Sequence, residues 1–318
     1  MASNDTIRVA CRRHDWTDAL FDGLVKDPSF HLEFSAGAHP SLSSLFSDSP
    51  NFDFLECGLV GYVQAKLKGA PIKALPVFIR AAFRHSYIFV NEQSGIKGPK
   101  DLEGKRVGTR YAMTANVWAR ALLKYEYGVQ LEKVRWINQE READVSYNLP
   151  VGMILETVSR ELDLKSWLVE GKIDALIHPD IVPSKLLATG KVKRLFPDAA
   201  EEERKSYRNS RIIPVMNIVA FREEDLRKRH SQVKAVFQAF CRAKEIGLDD
   251  MQDNRHSGLL WYWESLEGQQ DLVGDDPAPY SVEKLRHTLE AFVSYAVEQG
   301  LIPTSIPLEE LFVTGLDG

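Results

Sequence analysis

The sequence predicts an α/β protein of two lobes joined by two crossing segments. Three observations carry this. Short apolar runs alternate with helical patterns, the alternation restarts after the turn-rich stretch Gln93 to Pro99, and a long β-branched run, Ile212 to Phe221, precedes a helical tail.

The elements follow in order. Ile7 to Ala10 reads as a strand, followed by a helix that includes Ala19, Leu20 and Val25. Leu32 to Phe34 is a second strand, and Phe52 to Cys57 a third that leads into a helix from Gly58 to about Leu67. Ile72 to Val77 is a fourth. Strands alternating with helices favour a parallel sheet, whose right-handed crossovers gather the βα loops at the C-terminal strand ends. After Ser86 to Val90, a second α/β unit opens with Arg106 to Thr109. Its helix, about Ala115 to Tyr127, aligns Val117, Trp118, Ala121, Leu122 and Tyr125 on one face. Val134 to Ile137, Ala175 to His178 and Val192 to Phe196 are further strands, and Ile212 to Phe221 serves as the second crossing. In the tail, Val233, Val236, Phe237 and Phe240 form one helical stripe. Leu285, Leu289, Phe292, Val293 and Ala296 form another, ended by Gly300. The expected division is a discontinuous first lobe of residues 1–90 plus 218–318 and a second lobe of 91–217, with a substrate cleft between them.

Composition narrows the function. The chain has 318 residues, 44% hydrophobic and 27% charged, which excludes collagen-like and wholly disordered chains. A net charge of -5, with no basic stripe, argues against a nucleic-acid partner. Cys11, Cys57 and Cys241 are too few and too scattered for a disulfide framework or a zinc site. No H-x-x-x-H or H-E-x-x-H occurs, so no metal is expected. No run approaches about 18 apolar residues, and the first ten residues lack a secretory pattern, so a cytoplasmic protein without membrane contact is expected.

The segment Pro76-Val77-Phe78-Ile79-Arg80-Ala81-Ala82-Phe83-Arg84-His85-Ser86 is more specific. With Met113-Thr114-Ala115-Asn116-Val117-Trp118, Arg194-Leu195-Phe196-Pro197-Asp198 and Gly274-Asp275-Asp276-Pro277-Ala278-Pro279-Tyr280, it resembles the 4,5-dihydroxyphthalate decarboxylase family, in order along nearly the whole chain. The resemblance implies the fold of type II periplasmic substrate-binding proteins used as an enzyme. It also implies a carboxy-lyase acting on a hydroxylated aromatic carboxylate without a cofactor. The chain departs from the family at two places. Where the family commonly reads Y-D-R-T-R, this sequence has His14-Asp15-Trp16-Thr17-Asp18, and where it tends to have Pro-Ile-Met-His, it has Pro214-Val215-Met216-Asn217. Both segments are expected to border the cleft, so the substrate need not be 4,5-dihydroxyphthalate itself.

Losing CO2 directly from an aromatic ring would leave an aryl anion. Protonating the carboxylate-bearing carbon first avoids it, with an ortho or para hydroxyl supplying electrons. Such a site needs an anion clamp, a proton donor and a group to hold the phenol. Arg84 and Arg80 are the clamp candidates, because a guanidinium binds a carboxylate with two parallel hydrogen bonds. For Arg84 the alternative is an interlobe salt bridge. His85 is the first candidate for the acid, against a satisfied core imidazole. His14 and Asp15 are a candidate acid/base dyad, against a turn in which Asp15 or Thr17 caps a helix. Glu56, ending the third strand, is a candidate acceptor of the phenol proton, against a strand-end ion pair. On the substrate side stand Thr114 with the N–H groups of Ala115 and Asn116, Tyr111 as a stacking ring, His178 at a strand end, and Asn217. Asp275-Asp276-Pro277 reads as a turn followed by a helix start. A solute-binding protein for a small aromatic or carboxylic acid is the alternative function. A pyrimidine-synthesis-like enzyme of the thiamin-precursor group is a third, and a homo-oligomeric state stays open.

Overall fold

The computed structural model describes residues 6–37, 40–47, 50–139, 148–178 and 183–316. The elements run β1 (Thr6–Ala10), α1 (Asp18–Phe21), β2 (His31–Ser35), β3 (Phe54–Gly58), α2 (Leu59–Leu67), β4 (Ile72–Ala81), β5 (Ile88–Asn91) and β6 (Arg106–Thr109). They continue with α3 (Thr114–Tyr125), β7 (Arg135–Gln139), β8 (Ile154–Val158), α4 (Leu164–Val169), β9 (Ala175–Ile177), α5 (Pro183–Leu187), β10 (Val192–Arg194) and α6 (Ala199–Ser210). β11 (Val215–Arg222), α7 (Glu223–Lys228), α8 (His230–Asp250), α9 (Tyr262–Val273), α10 (Val282–Glu298) and α11 (Leu308–Leu311) complete the chain.

Two compact units result. The first is Met1–Ala81, Val215–Leu289 and Ile306–Gly318; the second is Ala82–Pro214 and Glu290–Ser305. The chain therefore passes between them four times rather than the two expected, because α10 begins in one unit and ends in the other. Residues 88–90 belong to the second unit, since β5 pairs with β9 and β10 there.

The first unit holds a five-stranded sheet in the order β2-β1-β3-β11-β4. β1 is parallel to β2 and β3, as the βα pattern requires. β11 lies antiparallel between β3 and β4, which a purely parallel reading missed. It enters the sheet at the end where β4 leaves it, Val215 opposite Ala81, so it runs the other way. The helix expected to reach Val25 stops at Phe21, because Asp22-Gly23 turns the chain and Gly23 takes φ +70°.

The second unit holds a six-stranded sheet, β10-β5-β9-β6-β7-β8. Its alternation is two-sided. Ile88, Val90, Val107, Trp136, Ala175 and Ile177 pack into one core cluster, and Phe89, Ile137 and Leu176 into another. β8 went unforeseen because it is an edge strand with a mixed sequence, Ile-Leu-Glu-Thr-Val, and mostly exposed side chains. The tail is helical as expected, with Val233, Val236, Phe237 and Phe240 buried along α8. Among the described residues no helix is long and apolar enough to cross a membrane.

Candidate functional site

In the first unit charge gathers around β3, where Glu56, expected to end the strand, is the third of five residues because the strand runs on to Gly58. Glu56 of β3 is 1% exposed. Its Oε2 accepts the backbone N–H of Arg12 at 2.8 Å, and its Oε1 lies 3.6 Å from Arg12 Nε. The parallel register explains the contact: Ala10 sits opposite Leu55, so the residues just past β1 come level with Glu56. Burial holds the Glu56 carboxyl above the ordinary carboxylate range, while the Arg12 hydrogen bond and the charges of Arg12 and Arg80 oppose the rise without cancelling it. Asn217 of β11 is opposite Gly58 on β3 and opposite Arg80 on β4, with β-bulges on either side of it. Facing residues share a sheet face, and Glu56 and Gly58 are two apart, so Arg80, Asn217 and Glu56 belong to one face.

His14 lies in a tight loop after β1. The backbone N–H groups of Thr17 and Asp18 both donate to the His14 carbonyl, at 2.7 and 2.9 Å. The Thr17 hydroxyl, expected as a helix cap, instead donates back to the Arg12 carbonyl at 2.7 Å and so braces the loop. His14 Nδ1 accepts the Trp16 backbone N–H at 3.5 Å, and the two rings meet edge to face at 5.4 Å. Burial lowers the imidazole below its usual value; the Asp15 charge opposes this and the Arg80 charge adds to it. His14 and Asp15 share no hydrogen bond, so they are neighbours rather than a bonded dyad, and Asp15 is exposed. The structure thus brings Glu56, Arg80, His14 and Asn217 into one neighbourhood and adds Arg12. Arg12 is the one whose role sequence reasoning did not assign, although its place just past a strand end was a signal.

A second support lies behind this loop. Lys244 of α8 is buried with its Nζ 4.4 Å from the Trp16 ring centre and 4.2 Å from that of Tyr280. It pairs with Asp276 and donates to the Ala278 carbonyl. Burial lowers the Lys244 ammonium, with Asp276 opposing. At Gly247, one turn further along α8, a Cβ would sit 2.1 Å from the Asp15 carbonyl oxygen, so only glycine lets the loop close on the helix.

The second unit places the other candidates. His85 is 1% exposed, between Phe196 at 5.0 Å and Tyr127 at 6.0 Å, ring centre to ring centre. Burial pulls its imidazole down to about 4. At neutral pH the ring is therefore uncharged and lacks the second, imidazolium proton that a general acid would give, which weakens the physical basis for making it the acid. Arg84 is buried with its guanidinium 4.1 Å from the Tyr87 ring centre. Tyr111 is not a free stacking face. Its ring is fully buried under the Arg120 guanidinium at 3.8 Å, and its hydroxyl donates to the Gln299 carbonyl at 2.9 Å. Thr114 is the first residue of α3 rather than its cap, which is Met113, and the Asn116 N–H already donates to the Met113 carbonyl at 2.9 Å, so the expected anion cradle is partly closed. His178 follows β9, is buried, and donates its backbone N–H to the Tyr87 carbonyl at 3.4 Å. Among the described residues no group of three or more His, Cys, Asp or Glu side chains is placed to hold a metal ion.

Comparison with known proteins accounts for the fold. A 4,5-dihydroxyphthalate decarboxylase from Comamonas testosteroni is 29% identical over 96% of this chain and 96% of its own. One from Pseudomonas putida is 32% identical over 58% of this chain and 69% of its own. The chain belongs to the 4,5-dihydroxyphthalate decarboxylase family. A family model described as NMT1/THI5 like also matches residues 59–149. Among solved structures, a periplasmic sulfonate-binding protein SsuA from Methylobacillus flagellatus superposes with a TM-score of 0.61 at 13% identity, covering 98% of this chain and 92% of its own. The desulfurization enzyme DSZB does so at 0.60 and 14% identity, covering 98% and 97%. The fold class is thus that of periplasmic binding proteins, and it houses both binders and enzymes. Within Gly274–Tyr280, Asp276 has a clear physical role, because its carboxylate pairs with Lys244 and accepts the Ala278 backbone N–H at 3.1 Å.

Proposed function

We propose that the protein is a carboxy-lyase that removes CO2 from a hydroxylated aromatic carboxylate of the 4,5-dihydroxyphthalate type, with Glu56 as the proton donor. The observation that carries this is the state of Glu56: buried, with one oxygen tied to a backbone N–H, and held above the ordinary carboxylate range in the neighbourhood of two arginines. A carboxyl that burial makes readier to hold a proton is the kind of group that ring protonation needs.

Arg80, supported by Asn217, holds the leaving carboxylate. His14, lowered and therefore a neutral base at pH 7, takes the phenol proton. The phenolate pushes electrons into the ring, and Glu56 gives its proton to the carbon bearing the carboxylate. The carbon–carbon bond then breaks, its electron pair restores the aromatic ring, and CO2 departs. His14 returns its proton to the phenolate oxygen and Glu56 is reprotonated from water, so each turnover consumes one proton and releases one CO2. We propose that the reaction takes place in the cytoplasm and needs no cofactor.

Incubating the purified protein with 4,5-dihydroxyphthalate and a panel of hydroxybenzoates in D2O tests the reading. The expected result is CO2 release with deuterium on the ring carbon that lost it. Folded protein that binds panel members without releasing CO2 would overturn it in favour of a solute-binding protein, the second reading that the fold's kinship with a sulfonate-binding protein supports.

A further inference from the structure

Lys244 takes no part in the steps above, yet the fold keeps it in a costly place. Its side chain is 4% exposed, and burial works against its charge. An apolar side chain of similar length would fill the space without that cost, and such replacements of buried ion pairs are often neutral or stabilising. Packing alone therefore gives no reason for a lysine here, whereas its contacts supply one. The ammonium pairs with Asp276, donates to the Ala278 carbonyl and lies over the rings of Trp16 and Tyr280, 4.4 and 4.2 Å from their centres. The Trp16 indole N–H and the Tyr280 hydroxyl are buried without a hydrogen-bond partner among the described residues. Neither ring is oriented by its own polar atom, so the cation they share is what fixes their faces.

We infer that Lys244 is a positioning residue, which through Trp16 holds the loop after β1 against α8 and so sets the place of the His14 imidazole. That role rests on the decarboxylase reading, in which His14 takes the phenol proton. The tie has two points on one face of α8. Lys244 and Gly247 are three residues apart, one gripping the Trp16 ring and the other letting the Asp15 carbonyl close on the helix. His14 directly precedes Asp15 and Trp16, and its ring meets the Trp16 ring edge to face. On the far side, Asp276 and Ala278 anchor the ammonium from the turn after α9. Cys241 of α8 and Lys284 of α10 are further titratable groups around the ammonium, whereas the charges acting on His14 are those of Asp15, Asp18 and Arg80. Lys244 therefore acts on His14 by placing it and keeping water from it, not by its own charge.

The test uses full-length protein labelled with 13C-histidine, with the His14 resonance assigned by its loss in His14→Gln. Lys244→Met leaves the Asp276 carboxylate, 35% exposed, to water rather than stranding it. In that variant the loop loosens, burial no longer lowers the imidazole as far, and His14 should titrate at a higher pH than in the parent, toward 6.5. The kcat for CO2 release should fall about 10–100-fold with KM changed little. Trp16→Leu, which leaves the buried charge in place, should move both readouts the same way. Adding Lys244→Met to it should change either one little further, because the two residues act as one unit. A folded Lys244→Met or Trp16→Leu protein whose His14 titrates as in the parent, or two substitutions whose effects on kcat add in full, overturns the proposal. The titration needs no turnover, so parent protein that releases no CO2 defeats the decarboxylase reading while the His14 resonance still decides the role of Lys244.

Discussion

The two units treat buried arginine and carboxyl groups in opposite ways. In the second unit, Arg120 is fully buried and its bonds are spent internally: Nε donates to Gln299 Oε1 and Nη2 to the Tyr111 carbonyl, both at 2.8 Å, while the guanidinium covers the Tyr111 ring. In the first unit, Glu56 is as deeply buried, but its arginine is a half-exposed Arg12 at 3.6 Å rather than a tight pair. Charge tied into hydrogen bonds within the core stabilises the fold. Charge buried beside a looser, half-exposed partner is available for a ligand.

That contrast breaks first at Glu56. Glu56→Gln keeps the size and the bond from Arg12 but removes the proton, and should lower kcat by about 10²–10⁴-fold with KM changed little, read by CO2 release. Unfolding midpoints should stay near the parent's, and a variant that loses stability instead of rate would erase the distinction between the units.

Arg120→Met should do the reverse. It strands Gln299 Oε1 and the Tyr111 carbonyl in the core, at a cost of about 3 kcal/mol in urea unfolding.

His85 gives a pH test of nearly equal size. Its imidazole is lowered from 6.5 to about 4 in the folded protein, so protonation favours unfolding. The stability it contributes is whole above pH 6.5 and is lost as the pH falls toward 4, up to about 3 kcal/mol for this one group. Urea unfolding at about pH 7 and about pH 4.5 should show parent protein losing more stability than His85→Phe across that interval.

Gly247→Ala should cost about 2 kcal/mol and also slow turnover, because the new methyl displaces the Asp15 carbonyl and with it the loop that carries His14. Loss of stability alone would mean that the loop moves without moving His14. Smallest of all, Tyr111→Phe should cost about 1 kcal/mol, the bond to the Gln299 carbonyl, and leave substrate affinity unchanged. A change in KM would return Tyr111 to the ligand.

Much of this was legible in the sequence, and the reasons are local. Strands β1, β6 and β9 announce themselves as short runs bounded by turns, and Glu56 stands out as an acid within an apolar run. What stayed hidden depends on pairing. Nothing in Val215–Arg222 says that it will lie between β3 and β4, yet that placement sets Asn217 opposite Arg80. Lys244 is one of many lysines until Asp276, Trp16 and Tyr280 are seen around it. His85 reads as a ready proton donor because its burial comes from Tyr127 and Phe196, both distant in sequence.

The position of β11 has a consequence for how the chain is made. The two strands it joins, β3 and β4, emerge early, and neither pairs with the other. Each holds an open edge until the whole segment Ala82–Pro214 has been synthesised and β11 follows it. During that interval the nascent first sheet is split in two, with unsatisfied backbone groups along Phe54–Gly58 and Ile72–Ala81. The last strand of this sheet to leave the ribosome is thus the one that closes it, and the Glu56 face is assembled only when translation has passed Arg222.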